Sequence, residues 1–98
     1  MKAVRLRFLR DPATGEPHIY QHDVSEEEVE DVLRRPGDDF PGREGSRIAL
    51  GQTRDGRYLQ VVYAPDLGKP SAFVITAYEL RSKPLAAFKR RQRKKPRR

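Results

Sequence analysis

His22 stands just ahead of an acidic run that reads as a helix start, and Arg57 follows an Asp55-Gly56 turn. Side chains of these two types could cleave RNA without a metal. That reaction draws a proton from the 2′-hydroxyl, stabilises the crowded phosphate with cations and returns a proton to the leaving oxygen. Imidazole is the side chain whose ordinary titration falls nearest neutral pH. The arginine fork can grip two phosphate oxygens at once. Arg47 and Arg54 are weaker candidates for the same phosphate contact, and Tyr78 could stack a base or orient a phosphate. Each has a plain structural alternative. A histidine beside a helix start can simply hydrogen-bond there, a strand-end arginine can pair with a neighbouring Asp, and tyrosine is an ordinary strand residue. His18, four positions before His22, reads as a surface residue on a strand. Two histidines without a third ligand give no metal site, and no cofactor motif is present.

The other chemical signal is charge. Lys and Arg total 21 and Asp and Glu 14, and the last eighteen residues hold ten of the basic ones and no acid. The preceding eighty carry eleven basic and fourteen acidic side chains, so the +7 chain is a mildly acidic body with a basic end. Lys89, Arg90, Arg91, Arg93, Lys94 and Lys95 belong to that end, which would give a salt-sensitive, sequence-independent grip on phosphates. No aromatic follows Phe88, so base reading is not expected from it. Its alternative is a solvated tail that contacts the acidic face of the first helix.

The elements that must position these groups follow from pattern. Residues 3–9 alternate, with Val4, Leu6 and Phe8 on one side and Arg5 and Arg7 on the other, which makes a half-buried strand. Asp11 to Gly15 is a turn, and His18-Ile19-Tyr20 is expected as a second strand pairing back on the first. Ser25 and Glu28 form a capping box, Val24 and Val29 a hydrophobic staple. Arg34-Arg35 suit the helix C-terminus and Pro36-Gly37 end it. Residues 36–46 read as a loop. Three strands follow, at Arg47–Gln52, Arg57–Tyr63 and Ala72–Tyr78, the first two joined by a tight Asp-Gly hairpin turn. The last strand, AFVITAY, is almost continuously apolar and is expected to be buried on both faces. A C-terminal helix begins near Lys83-Pro84, with Leu85 and Phe88 on its docking face. The expectation is an α+β domain with a mostly antiparallel sheet in the order β-β-α-β-β-β-α. It spans residues 1–88, and 89–98 form a flexible basic tail.

Ninety-eight residues make one domain. There is no cysteine, hence neither disulfide nor thiolate metal site. No apolar run approaches the ~20 residues that span a bilayer, and the N-terminus lacks the apolar stretch of a signal peptide. A cytoplasmic protein with no membrane partner is expected.

The run from His22 to Val29 resembles the K-H-G-V-S-x-x-E entry to the first helix of BrnT-type toxins. Gly51 to Tyr63 is similar to that family's G-x-[ST]-x-x-G-R-x-L-x-V-V-Y, and Val74-Ile75-Thr76-Ala77 to its I-I-[ST]-A. Two positions depart from the pattern: Asp23 replaces a glycine, and Tyr78 stands where an arginine usually follows. The resemblance implies a RelE/ParE-like fold. It also implies a ribonuclease toxin of a type II toxin–antitoxin pair, acting on RNA or at the ribosome and neutralised by a small antitoxin. His22 and Arg57 would then be catalytic. Two other functions fit the same residues: a non-catalytic RNA- or DNA-binding module, and a protein-interaction domain using AFVITAY with Leu85 and Phe88. Oligomeric state is not legible.

Overall fold

The computed structural model describes residues 5–94. Strand β1 (Arg5–Phe8) leads through a turn into a short 3₁₀ helix (His18–His22) and then helix α1 (Glu26–Arg34). Strands β2 (Asp38–Pro41), β3 (Arg47–Gln52), β4 (Tyr58–Pro65) and β5 (Ser71–Glu79) follow, and helix α2 (Ser82–Lys94) closes the described chain. The strands form one sheet in the order β1-β5-β4-β3-β2. Three pairings are antiparallel, and β1 runs parallel to β5. The architecture is α+β with a five-stranded mixed sheet.

Capping sets α1. The Ser25 hydroxyl accepts from the Glu28 N–H at 3.1 Å, and the Glu28 carboxylate accepts from the Ser25 N–H at 3.0 Å. These bonds satisfy donors that the first turn would otherwise leave unpaired. Val29, Val32 and Leu33 turn one stripe of α1 onto the sheet. There they meet Ala49, Leu59, Val61, Tyr63, Val74 and Ala77, all buried. Both staple residues, Val24 and Val29, lie in this core. Leu6 and Phe8 pack against it from β1; Ala3 and Val4, expected in the same strand, lie outside the described residues. A smaller cluster of Leu50, Leu80 and Phe88 sits on the opposite sheet face, where α2 docks, and Leu85, Tyr58 and Ile48 pack against it.

The sequence expectation differs from the structure in four places. Residues 18–20 are not a strand. Pro17 closes a turn through a bridge to Arg10, and the backbone then curls, Tyr20 N–H donating to the Pro17 carbonyl, so that Ile19 enters the core. The expected loop at 36–46 contains β2, paired antiparallel with β3. Asp and Pro are poor strand formers, but an edge strand tolerates Pro41, and bonds to the Asp39 side chain supply what intrinsic preference lacks. The AFVITAY run is not buried on both faces. Ala72, Val74 and Ala77 are buried, whereas Phe73, Ile75 and Thr76 are half-covered and Tyr78 is exposed, because α2 covers only one corner of its side of the sheet. Lastly, α2 continues past Phe88 through Lys89 and Arg90 to Lys94. Arg91 Nε donates to Asp38 at 2.9 Å and Gln92 Nε2 to the Gly37 carbonyl at 3.3 Å, tying those turns to β2. Lys95, named with the basic end, lies outside the described residues.

Candidate nucleic-acid interface

Four of the expected phosphate-binding arginines are bonded to carboxylates within the fold. Arg57 donates one nitrogen to the Asp23 carbonyl at 2.6 Å and to Glu28 Oε1 at 3.0 Å, and its other nitrogen lies 3.7 Å from Glu79. Glu28 is the capping-box carboxylate, so Arg57 pins the start of α1 to the β3–β4 hairpin. Asp23 there has φ 58°, the left-handed region that glycine adopts most easily.

Arg47 Nε donates to Asp39 Oδ1 at 2.8 Å, and the other Asp39 oxygen accepts from the Tyr63 hydroxyl at 2.5 Å. Burial, then the bond to Asp39, pushes the Tyr63 phenol up to about 12. Arg54 donates its backbone N–H and its Nε to Asp31 on α1, each at 3.1 Å. Arg91 is held by Asp38.

His22 is exposed and sits edge-on to Tyr78, with ring centres 5.9 Å apart, and edge-on to His18 at 5.3 Å. The Tyr78 hydroxyl accepts from Gln60 Nε2 at 2.7 Å across β4 and β5. His18 is half-buried rather than a plain surface residue, its Nδ1 3.0 Å from Asp11 Oδ1, while Gln21 donates to the second Asp11 oxygen. A carboxylate on Nδ1 fixes the ring's orientation and leaves Nε2 free for proton transfer. The Asp11–His18 pair escaped sequence reading because Asp11 lies in a turn, and only the 17–10 bridge carries it back to His18. Among the described residues no group of His, Asp and Glu is arranged to hold a metal ion.

Cations without an internal carboxylate gather elsewhere. A cleft of about 640 Å³ lies between α2 and the adjoining ends of β3 and β4, and Arg35, Gln52, Tyr58, Lys89, Gln92 and Arg93 contribute to its wall. No carboxylate lines it. Arg35 and Arg93 form no ion pair among the described residues. Lys89 and Arg93 are one helical turn apart, and Lys89 Nζ lies 5.0 Å above the Tyr58 ring. A second cleft, lined by Asp31, Arg34, Arg35, Gln52, Thr53 and Arg54, shares a wall with the first, but its Arg54 is already paired with Asp31 and its Arg34 with Glu30. Arg90 and Lys94 are exposed on α2.

The cleft depends on a close approach of α2 to the segment before β2. A Cβ at Gly37 would fall 2.6 Å from Phe88 Cζ and 2.9 Å from Gln92 Oε1, so only glycine admits the helix at this depth. Arg35 and Gln52 went unnoticed in sequence. Arg35 reads there as an ordinary helix-end cation, and its convergence with Lys89 and Arg93 needs the docking of α2. Chemically the cleft offers an anion three cations, two amides and an aromatic wall, while the His22–Tyr78 cluster offers exposed rings and a proton-transfer group.

No curated protein and no solved structure gives a significant match to the chain. One family does match, the domain of unknown function DUF4258, over residues 18–79. That span runs from the 3₁₀ helix through the end of β5, taking in His18, His22, Arg57 and Tyr78, and on this match the chain belongs to the DUF4258 family.

Proposed function

We propose that this domain is a nucleic-acid-binding module that holds phosphates along α2. The observation that carries this reading is the partition of its cations. Arg47, Arg54, Arg57 and Arg91 are neutralised inside the fold, while Arg35, Lys89 and Arg93 converge on a cleft without a carboxylate. Phosphodiester oxygens are the partner such a surface lacks. Binding measured by fluorescence anisotropy on labelled RNA should fall as salt rises. Three phosphate contacts on a single strand give a log–log slope of about −2, or roughly an 18-fold loss between 50 and 200 mM salt. The double variant K89E/R93E should abolish most of this binding while remaining folded, since both side chains are exposed. Undiminished binding by that variant would sink the proposal.

A second reading is metal-independent RNA cleavage, of the kind the BrnT-type resemblance implies, on free RNA or at the ribosome and held in check by a small antitoxin. What favours it is the grouping of His22 with Tyr78 and with His18, itself oriented by Asp11. It ranks second because the Arg57 guanidinium, its expected phosphate ligand, is held by Glu28 and the Asp23 carbonyl. Growth arrest on expression, relieved by His22→Ala, would promote it. Normal growth with abundant folded protein would remove it.

A further inference from the structure

Strand register places every side chain of a cross-strand row on the same sheet face. On the α2 side, one row reads Asp38–Leu50–Gln60–Tyr78 and the next Phe40–Ile48–Val62–Thr76. The cluster under helix α2 takes in Leu50 and Leu80 with Tyr58 and reaches Ile48 at its margin. Phe40 remains 41 % exposed and Tyr78 38 %. Ile48, Val62 and Thr76 are half-covered, and the exposed His22 ring extends the surface past Tyr78. The result is an apolar, aromatic-ended platform. The single carboxylate in these two rows, Asp38, is bonded to Arg91 and Gln92.

We infer that this open face receives the bases of a single-stranded nucleic acid whose phosphates lie in the α2 cleft; the inference rests on the nucleic-acid reading above and adds the class of strand. Two features favour such an occupant. The first is continuity: Tyr58 forms part of the cleft wall and stands two residues before Gln60 on the same strand and face, so the two surfaces adjoin across ~7 Å. The second is charge complementarity. The adjoining cleft carries Lys89 together with Arg35 and Arg93, which form no ion pair among the described residues, and this suits a polyanion that also presents flat apolar faces. A duplex hides those faces in its own stack. A single strand can splay them onto exposed aromatic rings, and each stacked base contributes to affinity with little regard to sequence. Gln60 Nε2 and the Tyr78 hydroxyl lie among the rings and can turn to a base edge.

The test compares a labelled 12-nucleotide single-stranded RNA with a hairpin duplex of matched composition, using the full chain. The single strand should bind at least tenfold more tightly. Tyr78→Ala and Phe40→Ala should each weaken single-strand binding roughly 5- to 100-fold with little change for the duplex, and Tyr78→Phe, which keeps the ring, should restore it. Both positions are exposed, so the variants should fold, and circular dichroism with a thermal melt checks that. Equal affinity for the two RNAs, or a Tyr78→Ala effect below twofold, overturns the inference while leaving the cleft proposal standing. K89E/R93E should lose both RNAs, and failure of that result strikes the cleft proposal instead. A concentration-dependent dimer in which Tyr78 becomes protected would assign the face to a second copy of the chain and also overturn the inference.

Discussion

Arg57 separates a structural from a catalytic account of the first helix start, and its replacement by alanine has a calculable outcome. The guanidinium serves the Asp23 carbonyl and the Glu28 carboxylate, and approaches Glu79. Arg57 and Glu28 side chains are each only 23 % exposed. A fully exposed pair contributes about 0–1 kcal/mol and a broken buried one costs about 3–5. A half-buried hub with charged hydrogen bonds falls between, at about 2 kcal/mol. For a domain of this size that lowers Tm by roughly 8–16 °C. Glu28 keeps its bonds within the capping box after the substitution, so Glu28→Gln should cost less than Arg57→Ala. A double-mutant cycle between the two should return a coupling of about 1 kcal/mol. Calorimetry on the four proteins measures all of this. If Arg57→Ala melts within about 3 °C of the parent and yet abolishes RNA cleavage, the hub is dispensable to the fold and Arg57 acts on substrate.

Three further outcomes test the packing. The Tyr63 phenol is raised to about 12 in the folded state against about 10 for a free tyrosine. Its contribution to stability is therefore complete below pH 10 and is lost as pH climbs from 10 towards 12; a spectrophotometric titration should find a late-ionising tyrosine that Tyr63→Phe removes. Asp23→Gly should be neutral or stabilising by up to about 1 kcal/mol in urea unfolding, because the left-handed backbone is easier for glycine, while Asp23→Val should destabilise. Gly37→Ala forces a methyl into Phe88 and should cost about 1–3 kcal/mol by the same assay, with reduced RNA affinity as α2 is pushed off the sheet.

Local signals in the sequence proved reliable where the chemistry is local. The Ser25–Glu28 box, the Val24–Val29 staple and the Asp55-Gly56 hairpin turn each involve residues a few positions apart, and all three are where their residue types place them. The failures share a cause in long-range contact. Nothing in PGDDFPG announces a strand, since β2 exists through its register with β3 and the bonds that Tyr63 and Arg47 make to Asp39. The even apolar run of β5 conceals which face a helix will cover. Among the candidate site residues, type was readable and commitment was not. Arg47, Arg54 and Arg57 look like free cations in sequence, yet their carboxylates lie on other elements, 8 to 29 positions away. Arg35 looks like routine end-of-helix charge until α2 brings Lys89 and Arg93 opposite it.

The parallel strand β1 has a bearing on how the chain acquires its structure. Its strand partner among the described residues, β5, begins at Ser71, so β1 must wait for the last of the described strands to emerge. The β3–β4–β5 meander closes through short turns and can form earlier, because loop closure is cheapest for near neighbours. An N-terminal segment held back in this way would be the last to gain protection from amide exchange during refolding and the first to lose it. The edge it leaves open on β5 in the interval is where a nascent chain of this family would be most open to capture by another strand.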